Sequence, residues 1–297
     1  MARKNHLEWT TAQHLLEMAA DQAGEIAVAG GQRALPVDPL AVAEAERRFL
    51  RVCGDNFRES FDGMLEYHRS KSRFLLFFNT KYDRLRRSGA YHPRTRFSIA
   101  HELGHYFLEK HRAYLMGGGD PHRSRGEFET DKAVEREADA FAAGLLMPAA
   151  LFRPVVNKSV LTGARIEDLA DRFQTSLVST AIRAVQLSDF PCCVAGVRAG
   201  AVAWRFQSQA LVEGGCYPVP KGPVPSESSK RQWLAFETGS AQKTVAESKL
   251  TAWFETYESD RLESVFVAEH FLPVPSMGTL LVLLTVAEDD LFGEGDE

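Results

Sequence analysis

Residues 101–105, His-Glu-Leu-Gly-His, have the types and spacing to hold a metal ion and to activate a water molecule on it. Positions i and i+4 share one face of an α-helix, so the imidazoles of His101 and His105 can point at a single ion. Glu102 lies one step round the helix, where it could reach the water as general base. This is the H-E-x-x-H pattern of zinc hydrolases. The sequence therefore predicts Zn²⁺ as cofactor, His101 and His105 as metal ligands and Glu102 as the catalytic residue.

The residues around the motif predict the helix that carries it. Phe97, Ala100, Leu103 and Leu108 are spaced to bury one side of a helix over residues 94–111. An ordinary amphipathic helix with two hydrogen-bonded histidines would show the same pattern. The carboxylates of a second helix downstream favour the metal site over this alternative.

That second helix is expected over residues 132–147, an alanine-rich run that Pro148 closes. Glu135 and Asp139 stand at i and i+4 and share a face. This suits one carboxylate as third metal ligand and another holding a ligand imidazole in its tautomer. Glu137 points roughly 160° away, at about 100° per residue, and is the weaker candidate. The alternative for Glu135 is a solvated charge on an exposed helix face.

Several blocks of sequence around these residues resemble the ImmA/IrrE family of metallo-endopeptidases. Their order and spacing are similar to the family's over about residues 36–150, and more loosely to 188. The blocks are Phe61-Asp62-Gly63, residues 94–105, residues 135–142 and Leu145-Leu146-Met147-Pro148.

The resemblance implies a thermolysin-like minimal zinc peptidase in a bacterial or phage cytoplasm. Members of the family cleave helix-turn-helix repressors and so release DNA-damage, mobile-element or anti-phage genes. By position, His101 and His105 are then ligands, Glu102 is the catalytic base and Glu135 is the third ligand. Many members have asparagine where this chain has Asp139. Either residue can hydrogen-bond to a metal-binding imidazole and hold it in place.

Composition and charge indicate a soluble globular protein. The chain has 297 residues, 44% hydrophobic and 25% charged, with a net charge of −5, which argues against general coating of nucleic acid. It has no apolar run long enough to span a membrane and no apolar signal-peptide core, so we expect a cytoplasmic location and no membrane partner. The four cysteines show no C-x-x-C spacing and are expected to be free thiols in a reducing compartment.

The overall expectation is an α+β fold divided into four parts. Residues 1–150 form the zinc metallopeptidase domain, 151–188 a helix-turn-helix-like helical segment, and 189–287 a C-terminal α/β module of GAF-like, sensor-like layout. Residues 288–297 form an acidic tail that we expect to be disordered. The helical segment has few candidates for reading bases, which favours packing against the protease over binding DNA.

Local patterns predict individual elements as well. In the first part we expect helices over 8–21 and 39–52, a hairpin over 62–79 and a flexible loop over 115–127. In the C-terminal module we expect strands over 192–197, 201–206, 265–268 and 280–286. A loop over 214–230 and a helix over 241–258 complete the module.

A basic stretch precedes the metal-site helix. Its arginines could contact the phosphates of single-stranded DNA, and such an activator would suit a protease that responds to DNA damage. A solvated loop with local salt bridges is the alternative. The candidate contacts are Arg84, Arg86, Arg87 and Arg94.

Thiols and two further histidines are also candidates near the metal. Cys53, Cys192 or Cys193 could occupy an open zinc position as an inhibitory thiolate, although buried structural cysteine is the commoner role. His111 and His122 could stabilise an oxyanion, but we expect them to be exposed loop residues.

Together the sequence predicts a zinc metallo-endopeptidase that cleaves a partner helix-turn-helix repressor. Its cleavage would switch on a stress, DNA-damage or anti-phage response. One alternative is a non-proteolytic, metal-containing regulator that binds DNA or a transcription factor. Another is a toxin–antitoxin component in which the fold only binds its partner.

Overall fold

The structure is a computed structural model that describes residues 2–32, 34–83, 91–124, 133–256 and 261–293, with side chains from residue 13 onward. The chain divides into two compact units. The first unit comprises Met1–Leu151 with Asp171–Ser176, and the second comprises Phe152–Ala170 with Leu177–Glu297. The mixture of helices and sheets confirms the α+β class. The predicted four-part division stays a prediction.

The first unit combines helices with a four-stranded sheet. The strand order is β1-β3-β2-β4, in which β1 and β3 are parallel and the other pairs are antiparallel. The helices are α1 (Ala2–Ala29), α2 (Pro39–Ala45), α3 (Pro93–Phe107), α4 (Glu109–Met116) and α5 (Ala133–Leu146), and the strands are β1 (Leu50–Asp55), β2 (Gly63–His68), β3 (Arg73–Asn79) and β4 (His122–Ser124).

The core of this unit lies between the sheet and the two helices that carry the predicted site. Leu65 and Leu76 of the sheet, Ile99 and Leu103 of α3, and Phe141 of α5 are completely buried. Burial of each such side chain stabilises the fold by roughly 1.5–3 kcal/mol relative to exposure. The core therefore fixes α3 against β2 and β3, and α5 against α3 and α1.

The predicted hairpin over 62–79 is confirmed as β2 and β3, but the predicted helix over 39–52 is wrong beyond Ala45. Asp38 caps this helix by accepting a hydrogen bond from Leu40 N at 3.0 Å. The chain then enters β1, where Leu50 pairs in register with Phe74. Pairing with a strand distant in sequence overrides the local helical periodicity.

The structure also differs from two predictions around the metal-site helix. The helix predicted over 94–111 breaks at Leu108, whose extended backbone separates α3 from α4. The loop predicted over 115–127 contains β4, which pairs with β2 through Gly63–Ser124 and Leu65–His122. Three polar residues carry no apolar alternation that would predict such a strand.

The second unit contains helices and an antiparallel five-stranded sheet of order β6-β5-β11-β10-β8. Its helices are α6 (Ala149–Val156, begun in the first unit), α7 (Gly163–Phe173, ended there), α8 (Leu177–Leu187), α9 (Gln209–Glu213), α10 (Glu227–Glu237), α11 (Leu250–Trp253) and α12 (Glu288–Phe292). Its strands are β5 (Cys192–Arg198), β6 (Ala201–Gln207), β7 (Cys216–Pro218), β8 (Thr244–Lys249), β9 (Phe254–Thr256), β10 (Phe266–Val274) and β11 (Thr279–Thr285).

The strands expected near the start and end of this unit are present, whereas three other expectations fail. The predicted helix over 241–258 contains β8, the short helix α11 and β9, because β8 pairs along its length with β10. The predicted loop over 214–230 holds β7 and the start of α10. The first part of the predicted disordered tail forms α12, where burial of Leu291 orders the acidic segment.

In the part of the chain that the structure describes, no helix alone has the length and apolarity to cross a membrane. The bent pair α5 and α6 satisfies that criterion jointly, by length and composition only.

Candidate metal centre

Four side chains from three elements of the first unit converge on one point. His101 and His105 come from α3, His122 comes from β4, and Glu135 comes from the first turn of α5. One potential ligand atom from each residue lies within 4.8 Å of the other three. Both α3 histidines are buried, and the other two residues are half-buried. A carboxylate in the first turn of a helix is also favoured by the helix dipole.

The distances inside this cluster fit a tetrahedral metal. His101 Nε2 lies 3.2 Å from His105 Nε2 and 3.5 Å from Glu135 Oε2. His122 Nε2 lies 3.3 Å from the same carboxylate oxygen. Ligands about 2.0–2.2 Å from a tetrahedral zinc ion stand roughly 3.4 Å from one another. Nitrogen and carboxylate donors are also the ligand types that zinc takes.

Close approach of α3 to α5 brings the histidines and the carboxylates together. Gly104, the fourth residue of the motif, faces the backbone of α5. A Cβ at this position would lie 3.1 Å from Ala138 Cα, tighter than an ordinary van der Waals contact. The glycine therefore allows α5 to present Glu135 and Asp139 to His101.

Asp139 supports His101 from behind. Its Oδ1 lies 2.8 Å from His101 Nδ1, which can donate to it. A proton on Nδ1 leaves Nε2 of the neutral ring free to bind a metal. The structure thus places Asp139 where the sequence predicted it.

His105 is supported through a second histidine. His105 Nδ1 lies 3.1 Å from His111 Nδ1, and His111 Nε2 lies 3.2 Å from Glu137 Oε2. If each ring is neutral, His105 donates to His111 and His111 donates to Glu137, so His105 Nε2 is again free for a metal. The expectation that His111 is an exposed loop residue is wrong, because α4 turns it inward. Glu137 contacts His111 and does not belong to the four-residue cluster.

Glu102 is completely buried beside the cluster. Its Oε1 accepts a hydrogen bond of 2.6 Å from Ser124 Oγ, whereas its Oε2 has no hydrogen-bond partner among the described residues. Gly63 of β2 makes room for it, since a Cβ there would lie 2.7 Å from Oε1. Burial raises the pKa of Glu102 above its usual value, although the charges of His101 and His122 act in the opposite direction.

Burial and neighbouring groups shift the pKa values of the three predicted ligands in different directions. Burial opposes the charged form of His101, but hydrogen bonds to Asp139 and Glu135 raise its pKa to about 10. Burial would raise the pKa of Glu135, yet its close contacts with His101 and His122 hold that pKa far below the usual range. Burial and the charge of His101 lower the pKa of His105 well below its ordinary value, which keeps this ring neutral.

Residues 65–185 match the model of peptidase family M78, described as the IrrE N-terminal-like domain. Over these residues the chain is similar to that domain. This confirms the resemblance to the ImmA/IrrE family, and it indicates a metallopeptidase-related role. The matched region contains all four residues of the cluster and both supporting carboxylates.

The fold is also similar to that of a Mycobacterium tuberculosis transcriptional regulator of known structure. The two chains are 14% identical, with a TM-score of 0.52, over 90% of this chain and 75% of that one. At this identity the likeness concerns the fold alone. None of the curated proteins matches the chain in sequence.

The basic stretch over residues 81–96 makes salt bridges and ring contacts within the first unit, in the part of it that the structure describes. Arg94 donates to Asp62 Oδ2 through Nε at 3.0 Å and Nη2 at 2.7 Å, and its guanidinium stacks on the Tyr82 ring. Lys81 lies 3.3 Å from the same aspartate. These contacts favour a structural role for Arg94. Three other predicted contacts, Arg84, Arg86 and Arg87, lie outside the described residues.

The metal-capable cluster found among the described residues contains no cysteine. Cys192 and Cys193 are buried in β5, and burial raises the pKa of Cys192 to about 11. The pKa of Cys193 is raised as well, again by burial. A thiolate is disfavoured at both positions, which gives no support to an inhibitory role. Cys53 is exposed on β1.

Proposed function

We propose that this protein is a zinc-dependent endopeptidase, with His101, His105 and Glu135 as metal ligands and Glu102 as the general base. The observation that carries the proposal is the carboxylate oxygen Glu102 Oε2, which is buried and lacks a partner in the described part of the chain. Leaving such a group unsatisfied costs about 1–3 kcal/mol or more. A water molecule between Glu102 and a metal held by the adjacent cluster would satisfy it.

The nitrogen and carboxylate donors fit zinc, and the metal, Glu102 and the supporting carboxylates each have a separate role in the proposed reaction. Bound zinc would polarise the scissile carbonyl and lower the pKa of a water molecule to about 7. Glu102 takes the proton of the attacking water and delivers it to the leaving amine. The raised pKa of Glu102 suits it to hold that proton in transit. Asp139, and Glu137 through His111, keep the ligand imidazoles in the tautomer that leaves Nε2 free.

For the substrate we propose an exposed loop of a helix-turn-helix repressor, in a bacterial cytoplasm. Cleavage would switch on a stress, DNA-damage or anti-phage response. The support is the IrrE N-terminal-like domain and the family resemblance around it. Single-stranded DNA bound by Arg84, Arg86 and Arg87 remains a candidate activator.

The second unit is proposed to sense a signal or position the partner, as a GAF-like module would. Its antiparallel five-stranded sheet, flanked by helices, is compatible with that role. A non-proteolytic regulator that binds DNA is the second candidate function. Extensive burial along α8, including Arg183, argues against α8 as a base-reading helix.

The proposal is tested by incubating the purified chain with the helix-turn-helix repressor encoded nearest to its gene. Mass spectrometry should find two fragments from a single cut in the presence of zinc. Chelation should abolish the cut, and added zinc should restore it. An unrelated helical protein serves as the specificity control. An intact repressor under every condition, with single-stranded DNA present or absent, would contradict the proposal.

A further inference from the structure

Strand β4 brings two side chains to the metal centre at the same time. His122 and Ser124 stand two residues apart in a strand, so both point to one face of the sheet. Ser124 donates to Glu102, the proposed base, and His122 reaches Glu135, the proposed third ligand. The strand therefore contacts both working parts of the proposed site.

His122 has the position of a ligand. Its Nε2 is buried and has no hydrogen-bond partner of adequate geometry among the described residues, although Glu135 Oε2 lies 3.3 Å away. The ring of His122 also packs against the ring of His105, with centroids 3.7 Å apart. An imidazole nitrogen in this position requires a partner, and the point shared by the other three ligand atoms is within its reach.

Four protein ligands would change what the centre can do. Catalytic zinc sites have three protein ligands and an open position for water, whereas sites with four are closed. In a closed site a water molecule can still satisfy Glu102 Oε2, but it has no open metal position at which to be activated.

We propose that His122 is a fourth protein ligand of the metal, and that β4 must leave β2 before the chain can cleave. This inference rests on the proposed peptidase function. β4 contributes only three residues to the sheet, paired with Gly63, Met64 and Leu65 of β2. An extended substrate segment can make the same backbone hydrogen bonds along β2. The substrate thus replaces β4, and the departure of His122 opens the position for water.

The ligand count is the direct test, and it does not depend on cleavage. X-ray absorption of the zinc-loaded full-length chain should show three imidazoles in the wild type and two in His122→Ala. His68→Ala is the matched control, because His68 also lies in this sheet but hydrogen-bonds to Ser70 on the surface. It should keep three imidazoles. Two imidazoles and a water in the wild type would overturn the proposal.

Access to the metal gives a second readout on the cobalt-substituted protein. Acetohydroxamate should change the visible spectrum of His122→Ala at concentrations at least about tenfold below those needed for the wild type or His68→Ala. At saturating zinc, His122→Ala should also cleave the repressor faster. Equal hydroxamate affinity in all three proteins would refute the closed site.

Two further outcomes separate this inference from the peptidase proposal. If the ligand count and hydroxamate access change as expected while no variant cleaves any substrate, the closed site stands and the peptidase function fails. If His122→Ala keeps the wild-type ligand count but loses cleavage, His122 acts on the substrate, and the inference is wrong.

Discussion

His111 places its Nδ1 3.1 Å from Nδ1 of His105, inside the first unit. The contact continues to Glu137, so a carboxylate on α5 acts on a ligand of α3 through a residue of α4. His101 has the shorter arrangement, with Asp139 in direct contact. Each of the two proposed histidine ligands in the H-E-x-x-H motif is therefore oriented by its own carboxylate.

Removal of the indirect support should weaken metal binding. Because His111 fixes the tautomer and orientation of His105, His111→Ala and Glu137→Gln should each lower zinc affinity by about 10–100-fold. Competition with a chromophoric chelator measures this change. Lys110→Ala, an exposed residue of the same helix, is the control. Wild-type affinity in both variants would show that the His111 contact plays no part in the site.

Metal affinity should rise with pH. The pKa of His101 is raised to about 10, so the metal-free protein keeps this proton throughout the neutral range. Metal binding must displace it, and zinc affinity should therefore increase about tenfold per pH unit between pH 6 and 8. Chelator competition at several pH values checks the slope. An affinity independent of pH in this interval would contradict the assignment of His101 as a ligand.

The metal-free protein should become more stable when Glu102 is neutral. Burial raises the pKa of this carboxyl above its unfolded value, so ionisation costs stability as the pH rises through and above that value. Glu102→Gln should accordingly raise the thermal midpoint at pH 8 by more than at pH 5. Calorimetry of chelator-treated protein measures the thermal midpoint of both proteins at each pH. A larger increase at pH 5 than at pH 8 would contradict a buried carboxylate that destabilises the fold when it ionises.

Arg94 should contribute to stability, whereas the three arginines at positions 84, 86 and 87 should not. Arg94→Ala removes the principal partner of a buried aspartate and should destabilise the protein by about 1–2 kcal/mol, reduced by the partial exposure of Arg94. Denaturant unfolding measures that loss.

Simultaneous replacement of Arg84, Arg86 and Arg87 by glutamate should leave stability and zinc content unchanged. It should abolish any stimulation of cleavage by single-stranded DNA, and binding of the wild type should weaken steeply with salt. Cleavage that is independent of DNA in both proteins would remove DNA as the activator.

The sequence predicted the parts of the site that depend on local spacing. His101, Glu102 and His105 follow from one helix, and the contact of Asp139 with His101 follows from the i, i+4 pair on another. His122 and His111 were expected to be exposed, because nothing local reveals that β4 joins the edge of β2 or that the helix breaks at Leu108.

The same limit applies to secondary structure elsewhere. The hairpin of β2 and β3 is local in sequence and was predicted. The first three residues of β1 and the whole of β8 fall within predicted helices, because each strand is held by pairing that the local pattern does not specify.

The most direct measurement of the central claim compares zinc content and repressor cleavage in wild type and Glu102→Gln, with Glu109→Gln on the surface of α4 as control. An amide cannot accept the water proton, so Glu102→Gln should keep its zinc and lose at least about 100-fold in cleavage rate, while the control matches wild type. Cleavage by Glu102→Gln at the wild-type rate would contradict peptidase chemistry at this site.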